Sequence, residues 1–146
     1  MQWNWKHEVG NTELRAEYWW GKQTASAGSS ETPPALLNEP YYVRKFNGAF
    51  FYMLHHIAAQ HQLGIKYDWY DPNTEISGED IGKPDSGTNP ADIKFSTLSL
   101  GYNYYINPNL KLMLWYDIIK NENTGLADYT GDVKDNLFTA RLQFRF

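Results

Sequence analysis

At 146 residues the chain has the length of one domain. It contains no cysteine, which excludes a disulfide framework and a thiolate metal site. Its net charge of −4 argues against a nucleic-acid partner, because such partners need a basic face to neutralise phosphates.

In chain order, Gln2 to Lys6 alternates Trp3 and Trp5 with polar neighbours, and His7 to Thr12 supplies a turn containing Gly10 and Asn11. Leu14, Ala16, Tyr18 and Trp20 then alternate with Arg15, Glu17 and Trp19, completing a predicted hairpin. Thr24 to Pro40 is rich in Ser, Ala, Gly and Pro and reads as a long loop with a helical turn around Ala35 to Asn38. Tyr41 to Ile57 is aromatic and extended, with Phe50, Tyr52 and Leu54 assigned to its apolar face. After a brief connection at Ala58 to Gln62, Leu63, Ile65, Tyr67 and Trp69 alternate with Gly64, Lys66, Asp68 and Tyr70. Asp71 to Asp92, dense in Pro, Gly, Asn and acids, is loop again. Leu98, Leu100, Tyr102 and Tyr104 mark the next strand, within Lys94 to Ile106, and Asn107 to Asn109 a tight turn. Leu110, Leu112, Leu114, Tyr116 and Ile118 mark a sixth strand, and Asn121 to Asp135 is the last loop.

The final stretch, Asn136 to Phe146 (NLFTARLQFRF), sets Phe138, Ala140, Leu142, Phe144 and Phe146 on one face and Thr139, Arg141, Gln143 and Arg145 on the other. Connections alternate short and long along the whole chain, as in an up-and-down membrane barrel with brief periplasmic turns and extended outer loops. Such a barrel also reconciles a mean hydropathy of −0.62 with 16% aromatic residues, since lipid-facing and lumen-facing side chains cancel in any average. No apolar run approaches the roughly 20 residues of a membrane-spanning helix. The fold class is therefore all-β, an antiparallel up-and-down meander of about seven strands forming a segment of a transmembrane β-barrel. Leu98, Leu100, Leu112, Leu114, Leu142 and Phe144 are expected on one convex face. Tyr41 and Tyr42, Trp69 and Tyr70, Tyr104 and Tyr105, and Phe144 and Phe146 are expected at the lipid–water boundary.

An odd strand count does not close an antiparallel barrel, and Met1, Gln2, Trp3 and Asn4 lack the basic start of a signal peptide. Residues 1–146 are accordingly expected to be the C-terminal portion of a larger barrel, an incomplete domain without its N-terminal strands and signal peptide. VRKFNGAFFY (Val43 to Tyr52), IKYDWYDPNTEISGEDIG (Ile65 to Gly82), ADIKFSTLSLGYNYYINPNLKLMLWYDIIKNENT (Ala91 to Thr124) and DNLFTARLQFRF at the end resemble the C-terminal half of the phosphate-selective porin O and P family. The resemblance implies a wide Gram-negative outer-membrane barrel in contact with lipid, trimeric when complete, that passes small anionic solutes. It also implies that the barrel-assembly machinery engages the terminal strand Asn136 to Phe146.

Basic side chains line the lumen in family members that select phosphate. The polar-face residues here that fit this role are Arg15, Lys66, Lys111, Arg141 and Arg145, interleaved with Glu17, Asp68 and Asp117. His55 and His56 are adjacent on a strand and point to opposite faces, so with His61 they make no chelating set. Asp71, Asn73 and Glu75 begin like a calcium loop, but Ile76 stands where the sharp turn needs glycine. No catalytic motif is present, so no enzyme, metal or cofactor is expected. Two alternatives stay open: an eight-stranded self-closing barrel with its extra strand inside Thr24 to Pro40, and a soluble β-sandwich binding module with buried apolar faces.

Overall fold

Alternating apolar and polar residues, with β-branched and aromatic side chains on the apolar phase, favour extended backbone paired edge to edge. The computed structural model describes residues 1–26 and 41–146. They form one sheet with strands in sequence order: β1 (Gln2–His7), β2 (Gly10–Ser26), β3 (Tyr41–Ala58), β4 (His61–Asp71), β5 (Phe95–Asn107), β6 (Leu110–Asn121) and β7 (Leu137–Phe144). Every pairing is antiparallel and joins sequence neighbours. The 11 residues of β4 and 13 of β5 extend about 36–43 Å at roughly 3.3 Å each. Tilted by about 40°, they span the roughly 25 Å apolar band of a barrel wall.

Two-residue turns close the hairpins at one end, and the connections at residues 72–94 and 122–136 lie at the other. At the first turn Gly10 has φ of 145°, and a Cβ there would sit 1.8 Å from the His56 carbonyl oxygen. Only glycine fits that approach. Register shifts between His56 and Ala58 and between Tyr105 and Asn107 place irregularities beside the other two short turns, where bulges sharpen the twist.

The registers sort the side chains into two faces. Leu98, Leu100, Leu112, Leu114, Leu142 and Phe144 share one face, joined there by Ile65, Tyr67, Tyr116 and Phe138. Many of these side chains are exposed, Leu142 at 51% and Phe144 at 63%. Among the described residues no second sheet covers them, so the β-sandwich alternative fails. On the opposite face a single hollow touches side chains from β2 through β7, so the sheet bows around it. That hollow defines the concave side.

Several expectations are corrected. On β3 the convex phase is Ala49, Phe51, Met53 and His55, and Phe50, Tyr52 and Leu54 face inward; both phases are apolar, so alternation carried no direction there. Trp69, Tyr104 and Phe144 lie on the convex phase, whereas Tyr70 and Tyr105 lie on the concave one, because neighbours on a strand cannot share a face. β2 continues through Thr24 to Ser26, paired with Val43 to Tyr41. The loop reading for the remainder of Thr24 to Pro40, its helical turn and its possible extra strand fall outside the described residues. Since β2 and β3 pair directly along their length, the ladder has no place for a strand between them.

The segments at 72–94 and 122–136 are built, not merely irregular. They contain 3₁₀ turns at Gly78–Asp80, Pro90–Asp92 and Ala127–Tyr129. The Glu122 carboxylate accepts from the backbone N–H groups of Gly78 (3.1 Å) and Lys94 (2.9 Å), and Gly125 N–H donates to the Ile81 carbonyl (3.1 Å). Lys120 donates to Asp132 and holds that carboxyl below the usual carboxylate range. Arg44 of β3 pairs with Asp92 through Nε (2.5 Å) and Nη2 (3.1 Å), both side chains fully buried. Asp92 also accepts from Asn73 Nδ2 (2.8 Å) and from the Asn89 backbone (3.0 Å). One carboxylate thus fastens the 72–94 segment to the wall. Replacing it with alanine leaves buried donors uncompensated at a cost of about 3–5 kcal/mol. D92A is expected to accelerate amide exchange and proteolysis across residues 72–94, with β5 and β6 amides still protected.

Candidate pore-lining face

The concave face is assembled row by row across the sheet. One row reads Gln2, Arg15, Tyr52, Lys66, Ser99, Asp117 and Leu137; another reads Glu13, Leu54, Gly64, Gly101, Trp115 and Thr139. Arg15, Lys66 and Arg141 line the hollow, which encloses about 680 Å³. Lys111 and Arg145 line a smaller recess of about 170 Å³ beside the short turn at Pro108 and Asn109. All five basic residues expected from the sequence therefore share one face, divided between two places on it.

Their partners differ. Arg15 Nε lies 2.5 Å from Glu13, and Lys66 Nζ lies 2.6 Å from Asp68, so each is neutralised by a neighbour. Lys111 sits 5.6 Å from the Tyr105 ring centroid, a cation–π distance. Among the described residues Lys6, Lys111, Arg141 and Arg145 form no ion pair, and all four lie toward the short turns. Glu17 and Asp117, the acids of this face without an ion pair, lie toward the long connections.

Aromatic rings pack closely against glycine on this face. A Cβ on Gly101 would stand 2.4 Å from Trp115 Cε2, and one on Gly64 would stand 2.6 Å from Trp115 Cη2. The indole therefore rests on bare backbone of two neighbouring strands. Near the short turns, Gln62 and Asn103 are buried in a polar cluster. Asn103 Nδ2 (2.7 Å) and Tyr105 O–H (3.1 Å) donate to Gln62 Oε1, and Gln62 Nε2 donates to His56 Nε2 (2.7 Å). His55, on the other face, bonds to Thr12 (2.9 Å) and stacks on His7. Asp71 and Asn73 spend their side-chain oxygens on the backbone of residues 73 and 75, and Glu75 pairs with Lys45.

Sequence reasoning missed Lys6, Arg44 and the inward rings Trp19, Phe50, Tyr52 and Trp115. The signal for Lys6 was the same period-2 phase that selected Arg15. For the rings there was a weaker signal, glycines at 48 and 101 facing aromatic positions across the ladder.

A seven-stranded antiparallel meander, apolar on its convex face and charged within, is the wall of a membrane barrel. Residues 61–146 match the model of the phosphate-selective porin O and P family. The chain belongs to this family. No curated protein and no solved structure matches it. The match begins at the first residue of β4 and runs through β7, so it contains Lys66, Lys111, Arg141 and Arg145 but neither Arg15 nor the Val43 to Tyr52 stretch. As a porin-family wall, the sheet turns its convex face to hydrocarbon. Leu142→Arg is expected to cost roughly 2–4 kcal/mol near the bilayer midplane, read as a smaller folded fraction in lipid vesicles.

Proposed function

We propose that the chain forms part of a passive diffusion channel in the outer membrane of a Gram-negative bacterium, one that passes small solutes and favours anions, phosphate among them. The carrying observation is the charge of the concave face. Lys6, Arg15, Lys66, Lys111, Arg141 and Arg145 oppose Glu13, Glu17, Asp68 and Asp117 on it, six basic against four acidic with the buried Arg44–Asp92 pair left aside, although the whole chain is at −4. Charged rings on a pore wall set which sign of ion enters. In this reading Arg141, Arg145 and Lys111 carry most of the preference, and the paired Arg15 and Lys66 contribute little, because their fields are offset within 3 Å. The short-turn rim, where the uncompensated cations gather, is the periplasmic one.

The open edges support a larger assembly. Among the described residues β1 pairs only with β2 and β7 only with β6, and each backbone group left without a partner in hydrocarbon costs several kcal/mol. Further strands of the same barrel satisfy those edges in this proposal, and complete barrels associate as trimers after the assembly machinery engages β7. The 146-residue chain by itself should give no steady channels in planar bilayers; stable unitary conductance from it would refute the segment reading. In the complete channel, Arg141→Glu combined with Arg145→Glu should lower anion-over-cation permeability by roughly twofold or more. An unchanged reversal potential under a salt gradient would show that these residues do not line the conducting path.

A further inference from the structure

A channel selecting compact anions needs uncompensated cations, yet the hollow is mostly ring surface and its ionic groups are largely paired. Trp115 lies flat on Gly64 and Gly101, and Trp19 lies flat on Gly48, where a Cβ would be 2.6 Å from the indole. With one face of each indole against backbone, the other turns toward the hollow that both line. Tyr52 stacks beside Trp115 with centroids 5.9 Å apart and planes 21° apart. Phe50, two residues along β3 on the same face, meets Trp19 at 6.3 Å. The four rings form a track along the wall. Arg15–Glu13 flanks it on the β2 side and Lys66–Asp68 on the β4 side, with Asp117 in the row of Tyr52.

From this juxtaposition we infer that the hollow is a binding track for short carbohydrates, a neutral polyhydroxylated class distinct from the small anions of the proposed function. A pyranose presents a flat patch of C–H groups that packs on an aromatic face, and a rim of hydroxyls that both donate and accept. The rings supply the first surface. The Arg15–Glu13 and Lys66–Asp68 pairs supply donors and acceptors side by side, and the two lining charges outside these pairs, Arg141 and Asp117, are of opposite sign, so a neutral solute is held and a compact anion gains little. At about 680 Å³ the hollow has the size of a small-molecule site. The inference rests on the channel reading for access to the hollow, and the two can fail separately.

The test uses the complete channel purified from outer membranes. Ion current in planar bilayers is recorded while maltotriose is added, with polyethylene glycol of matched size as the control for simple exclusion. Tryptophan fluorescence of the same protein in detergent is titrated with maltotriose in parallel. A saturable block by the sugar alone, with a matching fluorescence titration, is the expected result. Phe50→Ala should raise the half-blocking concentration by about fivefold, the size of a lost ring contact, and Asp117→Asn should raise it as well by weakening an acceptor. Trp115→Ala is the less decisive variant, since it also uncovers two glycines. Steady channels with no saturable block and no fluorescence change would overturn the carbohydrate track and leave the channel reading intact. Sugar binding in detergent without any conductance would do the reverse.

Discussion

The interaction on which everything else depends is the inter-strand backbone hydrogen bond. Hydrocarbon offers N–H and C=O groups no partner, so a chain crossing it in extended form must pair every strand with its neighbours. Once that ladder is drawn, the period of two fixes which side chains meet lipid and which meet water. The wall therefore needs almost no interior of its own. Among the described residues only Ala49, Leu54, Pro72, Ile81 and Ile93 are buried apolar side chains, and three of these belong to the 72–94 segment rather than to a strand.

What replaces a core is local fitting on the concave side and at the long-connection end. Gly64 and Gly101 weaken a strand taken alone, because they lose more backbone entropy than other residues. Across the ladder they become a seat for Trp115, and the indole covers backbone that would otherwise face water. At the outer end Asp92 and Glu122 serve as paired fasteners: one joins the 72–94 segment to β3 through Arg44, and the other joins it to the start of 122–136. Both carboxylates accept several bonds at once, which lets a short side chain organise several stretches of backbone.

Sequence alternation exposed the architecture wherever the two phases differed in polarity. In β4, Leu63, Ile65 and Tyr67 against Gly64, Lys66 and Asp68 leave one register for a wet interior, and the structure adopts it. β3 defeated the same reasoning because Phe50, Phe51, Tyr52 and Met53 are apolar in both phases. Its orientation is inherited from β2 and β4, through Leu14 opposite Met53 and Ile65 beyond it. The same blindness affected the aromatic pairs: composition finds Trp69 with Tyr70 near a strand end, but the pleat sends only one of them to lipid. The built turns of 72–94 were illegible for another reason. Asp92 matters through Arg44, which lies 48 positions away in sequence, and no local pattern announces a partner at that distance.

Net charge is the clearest case of a whole-chain quantity pointing away from the local one. The connections at 72–94 and 122–136 hold nine acidic residues against three basic, and they account for the chain's negative sign. Apart from Asp92, buried against Arg44, these acids are exposed or half-buried at the long-connection end, where solvent and salt screen them within about 10 Å. The concave face carries the opposite sign, and of its cations without an ion pair Lys6, Lys111 and Arg145 lie at the far end of the strands while Arg141 lines the hollow. A solute crossing the wall's length would therefore meet acidic segments first, then a ring-lined hollow of largely paired charge, and only afterwards a basic rim. In a low-dielectric wall it is this order along the path, more than the sum over the chain, that decides which ions pass. The exclusion of nucleic acid at the outset rested on the sum, whereas any anion preference rests on the arrangement. The two follow from the same 146 residues without conflict, because the ladder has sorted the charges by place.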